Sequence, residues 1–212
     1  MDTIRDKILT DIRLALKDGV EHTTAKPTDS SLLFKNREGG LVEGFVREFL
    51  AIDGNVIRCD DFQQLAEKLT ELIKCNNWKN VVAKSAILKK CGEQTQLESI
   101  STVVDDENLG RVEVGITDCE CLVARTGTIV MSTAQQVGRT FPIYIPKHIV
   151  IAHEKQLVYD LGEAIAVMEQ RYHPDYPSGW YLVSGPSRTG DIEKTLVLGV
   201  HGPVEMYVFI LK

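Results

Sequence analysis

NVIRCDDFQQLAEKLTELIKCNNWKNVVAKSAIL, residues 55–88, decides the fold. It opens on Asn55–Cys59 (NVIRC), a short apolar and β-branched run that reads as a strand. Asp61 stands at an N-cap position with Gln64 three residues on, and Phe62, Leu65, Leu69 and Leu72 then mark one face of a helix. Asn80–Lys84 (NVVAK) is the next strand, followed by a short helix through Leu88. Strand, helix, strand, helix at this spacing predicts βαβ units and a parallel sheet.

The pattern extends in both directions. Upstream, Leu41–Ile52 reads as a helix, and residues 18–40 are polar, with Pro27, Gly39 and Gly40. Before them Ile4, Ile8, Ile12, Ala15 and Leu16 recur at helical steps, and Gly19 ends the run. Residues 1–40 are therefore expected to form a helix and polar arm, with the helix packing on a partner subunit, and residues 41–212 an α/β domain. Downstream, Cys119–Ala124 and Thr128–Ser132 flank Thr126-Gly127 as a tight hairpin, with Thr117 and Asp118 at the start of its first strand. Lys147–Ala152 is a buried strand. Asp160, with Glu163, caps a helix running to about Tyr172. Trp180–Val183 is a strand, Ser184–Gly190 a loop, Asp191–Thr195 a short helix and Met206–Leu211 the last strand.

Composition narrows the function classes. The 212 residues are 43% hydrophobic and 25% charged, ordinary for a globular domain. The longest apolar run, Met206–Leu211, is far short of the roughly 20 residues a transmembrane helix needs. The first residues alternate charged and apolar side chains, unlike a signal peptide, so no membrane association and a cytoplasmic location are expected. The net charge is −6, and residues 91–115 alone carry six acids against one base. No basic stripe marks a nucleic-acid binder. The acidic stretch reads as a solvated face or as a dock for a basic partner. Cys59, Cys75, Cys91, Cys119 and Cys121 contain no Cys-x-x-Cys, so neither an iron–sulfur cluster nor a structural zinc is expected in this chain. Cys119 and Cys121 on one strand would share a face. His148 and His153, five apart on a strand, should face opposite sides.

Two glycine- and hydroxyl-rich segments are the candidate binding loops. In Ser184-Gly185-Pro186-Ser187-Arg188-Thr189-Gly190, the hydroxyls, the Arg188 guanidinium and the amides of the expected following helix would suit an anion. A plain strand–helix connection with side-chain capping is the equal alternative. The Walker spacing fails because Asp191 and Ile192 replace Lys and Ser/Thr. Thr126-Gly127-Thr128 offers a glycine for close approach between two donors, or simply a turn. Arg125 and Arg139 are anion candidates beside these loops. Asp118 is a general base or a turn cap, and His201 an acid–base group or a turn residue. No Gly-x-Ser-x-Gly elbow and no Gly-x-Gly-x-x-Gly fingerprint occurs.

Three segments together resemble a known family: Gly115-Ile116-Thr117 with Ala124–Val130 (ARTGTIV), Pro146–Val150 (PKHIV), and Ser184–Pro203 (SGPSRTGDIEKTLVLGVHGP). They are similar to the LUD domain (lactate utilization) family, over roughly residues 40–212, and the N-terminal arm suits its small members. The resemblance implies a Rossmann-like α/β fold of the NagB/RpiA/CoA-transferase type with a mixed or parallel sheet. It implies a place beside iron–sulfur partner subunits in a system that oxidises L-lactate to pyruvate. It carries over positions, not catalytic roles: Thr126, Gly127 and Thr128 match the family's Thr-Gly-Thr turn, and Ser187, Arg188, Thr189, Asp191 and Glu193 its C-terminal loop and helix. Many members have an acidic residue where this chain has Arg125, which reverses the local field.

Two expectations of function follow. One is a component of lactate oxidation that binds an anionic small molecule or docks iron–sulfur subunits through Asp105, Asp106 and Glu107. The other is a stand-alone enzyme or binding module for a phosphorylated or CoA-linked metabolite. Its site would lie between the Thr126 turn and the Ser187 loop at the carboxyl ends of the strands, with Arg188, Arg125 and Arg139 holding the anion. The residues assign no cofactor and no oligomeric state.

Overall fold

The computed structural model describes residues 4–17, 39–92, 100, 110–135, 138, 140–192, 195–198 and 202–212. They fall in two units, Met1–Arg37 and Glu38–Lys212. Among the described residues the first contributes α1 (Ile4–Lys17), over the stretch whose spacing predicts a helix. Among the described residues no helix is long and apolar enough to cross a membrane.

The second unit is α/β and begins with α2 (Leu41–Ala51), β1 (Asn55–Cys59), α3 (Phe62–Cys75), β2 (Val81–Lys84) and α4 (Ala86–Gly92). The helix α3 forms for the reasons its sequence carries. Asp61 Oδ1 accepts a hydrogen bond from Gln64 N (2.8 Å), and Gln64 Oε1 accepts one from Asp60 N (3.1 Å). Leu65, Leu69 and Ile73 are buried along one face, each such side chain contributing roughly 2 kcal/mol. Asn77 at φ +52° then turns the chain out of the helix.

The remaining elements are β3 (Val114–Asp118), β4 (Cys121–Val123), β5 (Thr128–Ser132), α5 (Phe141–Tyr144), β6 (Lys147–His153), β7 (Leu157–Val158), α6 (Leu161–Tyr172), β8 (Trp180–Val183), β9 (Arg188–Ile192), β10 (Thr195–Leu198) and β11 (Glu205–Leu211). A five-stranded, wholly parallel sheet runs β1-β11-β6-β3-β2. A four-stranded mixed sheet runs β7-β4-β5-β8. Three buried cores separate the layers. Leu65, Leu69 and Leu88 of α3 and α4 cover one face of the parallel sheet at Ile116, Ile149 and Phe209. The opposite face, at Val82, Val150 and Val208, meets Leu122, Ile129 and Met131 of the mixed sheet, with Phe45 and Phe49 of α2 in the same core. The far side of the mixed sheet packs on Ala164 and Met168 of α6. The order is therefore helices, parallel sheet, mixed sheet, helix.

Several expectations need correction. The parallel sheet is present, but β1 and β2 are its opposite edges, so α3 does not join neighbouring strands. Thr117 and Asp118 close β3 of the parallel sheet instead of opening the hairpin; Cys119 and Glu120 form a break before β4 starts in the other sheet. That break ends the two-residue alternation, and Cys119 and Cys121 point into different cores. No helix follows Gly190 at Asp191: the chain runs through it as β9 and pairs antiparallel with β10. Thr189, Ile192, Thr195 and Val197 are β-branched, and the hairpin supplies their backbones with partners.

Candidate functional site

The two glycine- and hydroxyl-rich loops meet. Antiparallel pairing of β5 with β8 sets Ile129 opposite Val183, which carries Thr128 and Ser184 to the same end. Thr128 Oγ1 lies 2.8 Å from Ser184 Oγ and 2.7 Å from Thr126 Oγ1, a chain of three hydroxyls. Both loops rest on the end of α2. A Cβ on Gly127 (φ +60°) would sit 2.7 Å from Phe49 N, and one on Gly185 (φ +74°) 2.7 Å from Ile52 O. Arg188 pairs with Asp53, just beyond α2. The pair is open to water, with the Arg188 side chain 41% and Asp53 76% exposed. Ser187 N donates to Pro203 O (2.8 Å), which brings the segment before β11 alongside. Arg125 is half-buried, and its backbone N donates to Tyr159 O (3.0 Å).

This junction lies at the amino ends of the parallel strands, not at the carboxyl ends expected of it. The helix α2 leads directly into β1, Asn55 Nδ2 donates to Met206 O at the start of β11 (3.2 Å), and Pro203 precedes β11. The cradle also lacks the helix N-terminus expected after Gly190, since Thr189, Gly190 and Asp191 belong to β9. Arg139, His201, Glu193 and the acidic group Asp105, Asp106 and Glu107 lie outside the described residues.

The carboxyl ends carry Asp118 and His153. Asp118 ends β3, and its carboxylate accepts from Ala86 N (2.6 Å), Ile87 N (3.3 Å) and Ser85 Oγ, so it caps the first turn of α4. Burial raises its pKa, opposed by those hydrogen bonds and by His153. Burial lowers the pKa of His153, as do Lys155 and Lys90, while Asp118 raises it; its ring meets the edge of Phe62 at 6.3 Å. His148 and His153 do lie on opposite sides of β6, in different surroundings.

Two buried polar groups have contacts that the sequence does not foretell. His148 is 1% exposed and Thr117 fully buried, with His148 Nε2 2.7 Å from Thr117 Oγ1. This contact joins the Gly115–Thr117 and Pro146–Val150 segments. Glu120, 2% exposed, accepts hydrogen bonds from Ser132 Oγ (2.5 Å) and Tyr172 OH (2.6 Å) and pairs with Arg171. Both groups are buried beside apolar neighbours, and a polar residue within an apolar run is the available signal. Among the described residues no three His, Cys, Asp or Glu side chains are placed to hold a metal.

The profile of the LUD domain matches residues 42–211. A lactate utilization protein C from Bacillus licheniformis is 31% identical over 57% of this chain and 52% of its own length. The Bacillus subtilis protein of the same name is 33% identical over 47% of this chain and 44% of its own, and that of Deinococcus radiodurans 33% identical over 49% and 48%. The matches thus span about half the length of these curated relatives. A crystal structure of a DUF162 family protein from Deinococcus radiodurans superposes with a TM-score of 0.60, covering 81% of this chain and 96% of that one at 17% identity.

Proposed function

The chain belongs to the LUD domain family, and on that premise we propose that it is a component of an L-lactate utilization system oxidising lactate to pyruvate beside iron–sulfur partner subunits. In this reading residues 41–212 are the working domain and residues 1–40 an arm that packs on a partner. The domain binds an anionic small molecule at the junction of the Thr126 turn and the Ser184 loop. The observation that carries the site is the hydroxyl chain Thr126–Thr128–Ser184, which unites two of the segments carrying the resemblance. An exposed ion pair is worth no more than about 1 kcal/mol, so Arg188 can exchange Asp53 for a ligand carboxylate at little cost. Arg125 supports a second reading, in which the added cation beside Thr-Gly-Thr serves a phosphorylated or CoA-linked metabolite and the chain works alone.

Complementation and binding separate the two. In a bacterium lacking its own lactate utilization protein C, this chain should restore growth on L-lactate and co-purify with the iron–sulfur subunits. A triple Asp105→Asn, Asp106→Asn, Glu107→Gln variant should weaken that association. A thermal-shift panel of lactate, pyruvate, sugar phosphates and CoA thioesters identifies the ligand, and Arg188→Ala should abolish the shift. Unchanged growth would refute the lactate role, and an unaffected affinity would remove Arg188 from the site. Turnover of a phosphorylated or CoA-linked compound by the isolated chain would establish the second reading.

A further inference from the structure

We infer that α1 is a dimerisation element, packing antiparallel on the α1 of a second copy of this chain. The inference deepens the reading of residues 1–40 as an arm that packs on a partner, and it rests on that reading. Along α1, Ile4, Ile8 and Ile12 recur at every fourth residue and make one apolar ridge, with Leu9 beside it. All four are exposed, Ile4 at 82% and Ile8 at 54%. The helix has 14 residues, a length at which an isolated helix is marginal in water, so its stability calls for that ridge to be covered.

The charges beside the ridge fit a second copy. Lys7 and Asp11 stand one turn apart along one edge of it, and both are exposed. They lie symmetrically before and after Leu9. An antiparallel partner crossing at Leu9 therefore sets Lys7 of each copy against Asp11 of the other, two ion pairs from one twofold arrangement. On the other edge Asp6 and Arg13 are spaced about nearly the same centre. The same crossing seats Ile8 of each copy between Ile8 and Ile12 of the other, so the two ridges interdigitate. Bases and acids are interspersed here as Arg5, Asp6, Lys7, Asp11 and Arg13. A uniformly acidic surface, such as the 91–115 stretch of another copy, would match the bases and repel the acids. A second α1 matches both.

The test is sedimentation velocity of the full chain over a range of concentrations, where a monomer–dimer equilibrium is expected. Lys7→Glu and Asp11→Lys each set like charges against each other at both ion pairs. Either alone should weaken association about tenfold, the scale of two exposed pairs lost together. An equimolar mixture of the two variants should associate nearly as the parent chain does, because opposite charges meet again at both pairs. That rescue separates pairing between copies from attraction within one helix, which mixing cannot restore. Unchanged urea midpoints will show that the α/β domain is intact in each variant. A parent chain that is monomeric at every concentration, single variants that dimerise as the parent does, or a mixture no tighter than the single variants would each overturn the proposal. Association of a monomeric chain with iron–sulfur subunits alone, abolished by Ile8→Asp, would overturn the dimer and keep the arm's packing on a partner. Growth on L-lactate is read separately and decides the lactate role.

Discussion

Gly127→Ala tests whether the Thr-Gly-Thr turn holds its glycine for packing. At φ +60° an alanine is disfavoured by about 1 kcal/mol. Its Cβ would also lie 2.7 Å from Phe49 N and 2.9 Å from both Glu48 C and Phe49 Cα. These are backbone atoms in the body of α2 and cannot rotate away, so the turn must lift. Overpacking of that kind costs roughly 1–3 kcal/mol. The sum is about 2–4 kcal/mol, and at about 2–4 °C per kcal/mol for this chain length the midpoint should fall by roughly 4–16 °C. Gly138→Ala is the control, because its φ of +66° is similar and nothing among the described residues lies within 4 Å. It should lose the backbone contribution alone, roughly 2–4 °C. The assay is thermal and urea unfolding of both variants with the parent chain. If Gly127→Ala unfolds no earlier than Gly138→Ala, the packing argument is wrong.

Other predictions follow from buried polar groups. Glu120→Ala strands Ser132, Tyr172 and Arg171 around a buried vacancy and should cost about 3 kcal/mol, against about 1 kcal/mol for Ser132→Ala, both read from urea midpoints. Burial holds the His148 imidazole down at about 4 from an ordinary 6.5. Between those values the unfolded chain binds a proton that the folded chain does not. This contribution to stability is complete above the unfolded value and is lost as pH falls toward the folded one, by about 3 kcal/mol. Urea midpoints across that window should show the loss, and a His148 ring titrating near its ordinary value by NMR would contradict it. Asp118→Ala removes the acceptor for Ala86 N and Ile87 N and should cost about 1–2 kcal/mol, without the larger loss expected of a core residue.

What the sequence made legible was local. The strand β1, the Asp61 cap and the Leu65–Leu69 face of α3 follow from periodicity and capping within a few residues, and Asp160 Oδ1 accepts from Glu163 N (3.0 Å) in the same way at α6. What it hid was set by distant partners. Asp191-Ile192 reads as a helix start after a glycine, yet β10 claims that backbone. Asp118 stands free in the sequence, but its acceptors are used by α4, some thirty residues earlier. The strand order placing β11 between β1 and β6 joins the last residues to the first strand, which no window of sequence contains. The Thr-Gly-Thr and Ser184 segments drew attention for their residue types, but their meeting depends on the β5–β8 register.

The glycines also narrow the ligand proposed for the junction. A glycine that admits a ligand to the backbone should face open space, whereas Gly127 and Gly185 face α2 at contact distances that leave room for no other atom. The Ser184 loop leads into a strand, so it offers no row of free helix amides. A polyphosphate is held by such nests of backbone N–H groups. A small carboxylate needs only two or three donors, which hydroxyls and one guanidinium can supply. The end of α2 beneath the loops is moreover the carbonyl end of a helix, whose partial negative charge opposes a highly charged anion more than a singly charged one. The geometry around Gly127 and Gly185 therefore favours a monocarboxylate over a phosphorylated or CoA-linked metabolite, despite the cation that Arg125 adds. Comparing lactate and pyruvate with sugar phosphates on the same chain tests this ordering, and tighter binding of the sugar phosphates would reverse it.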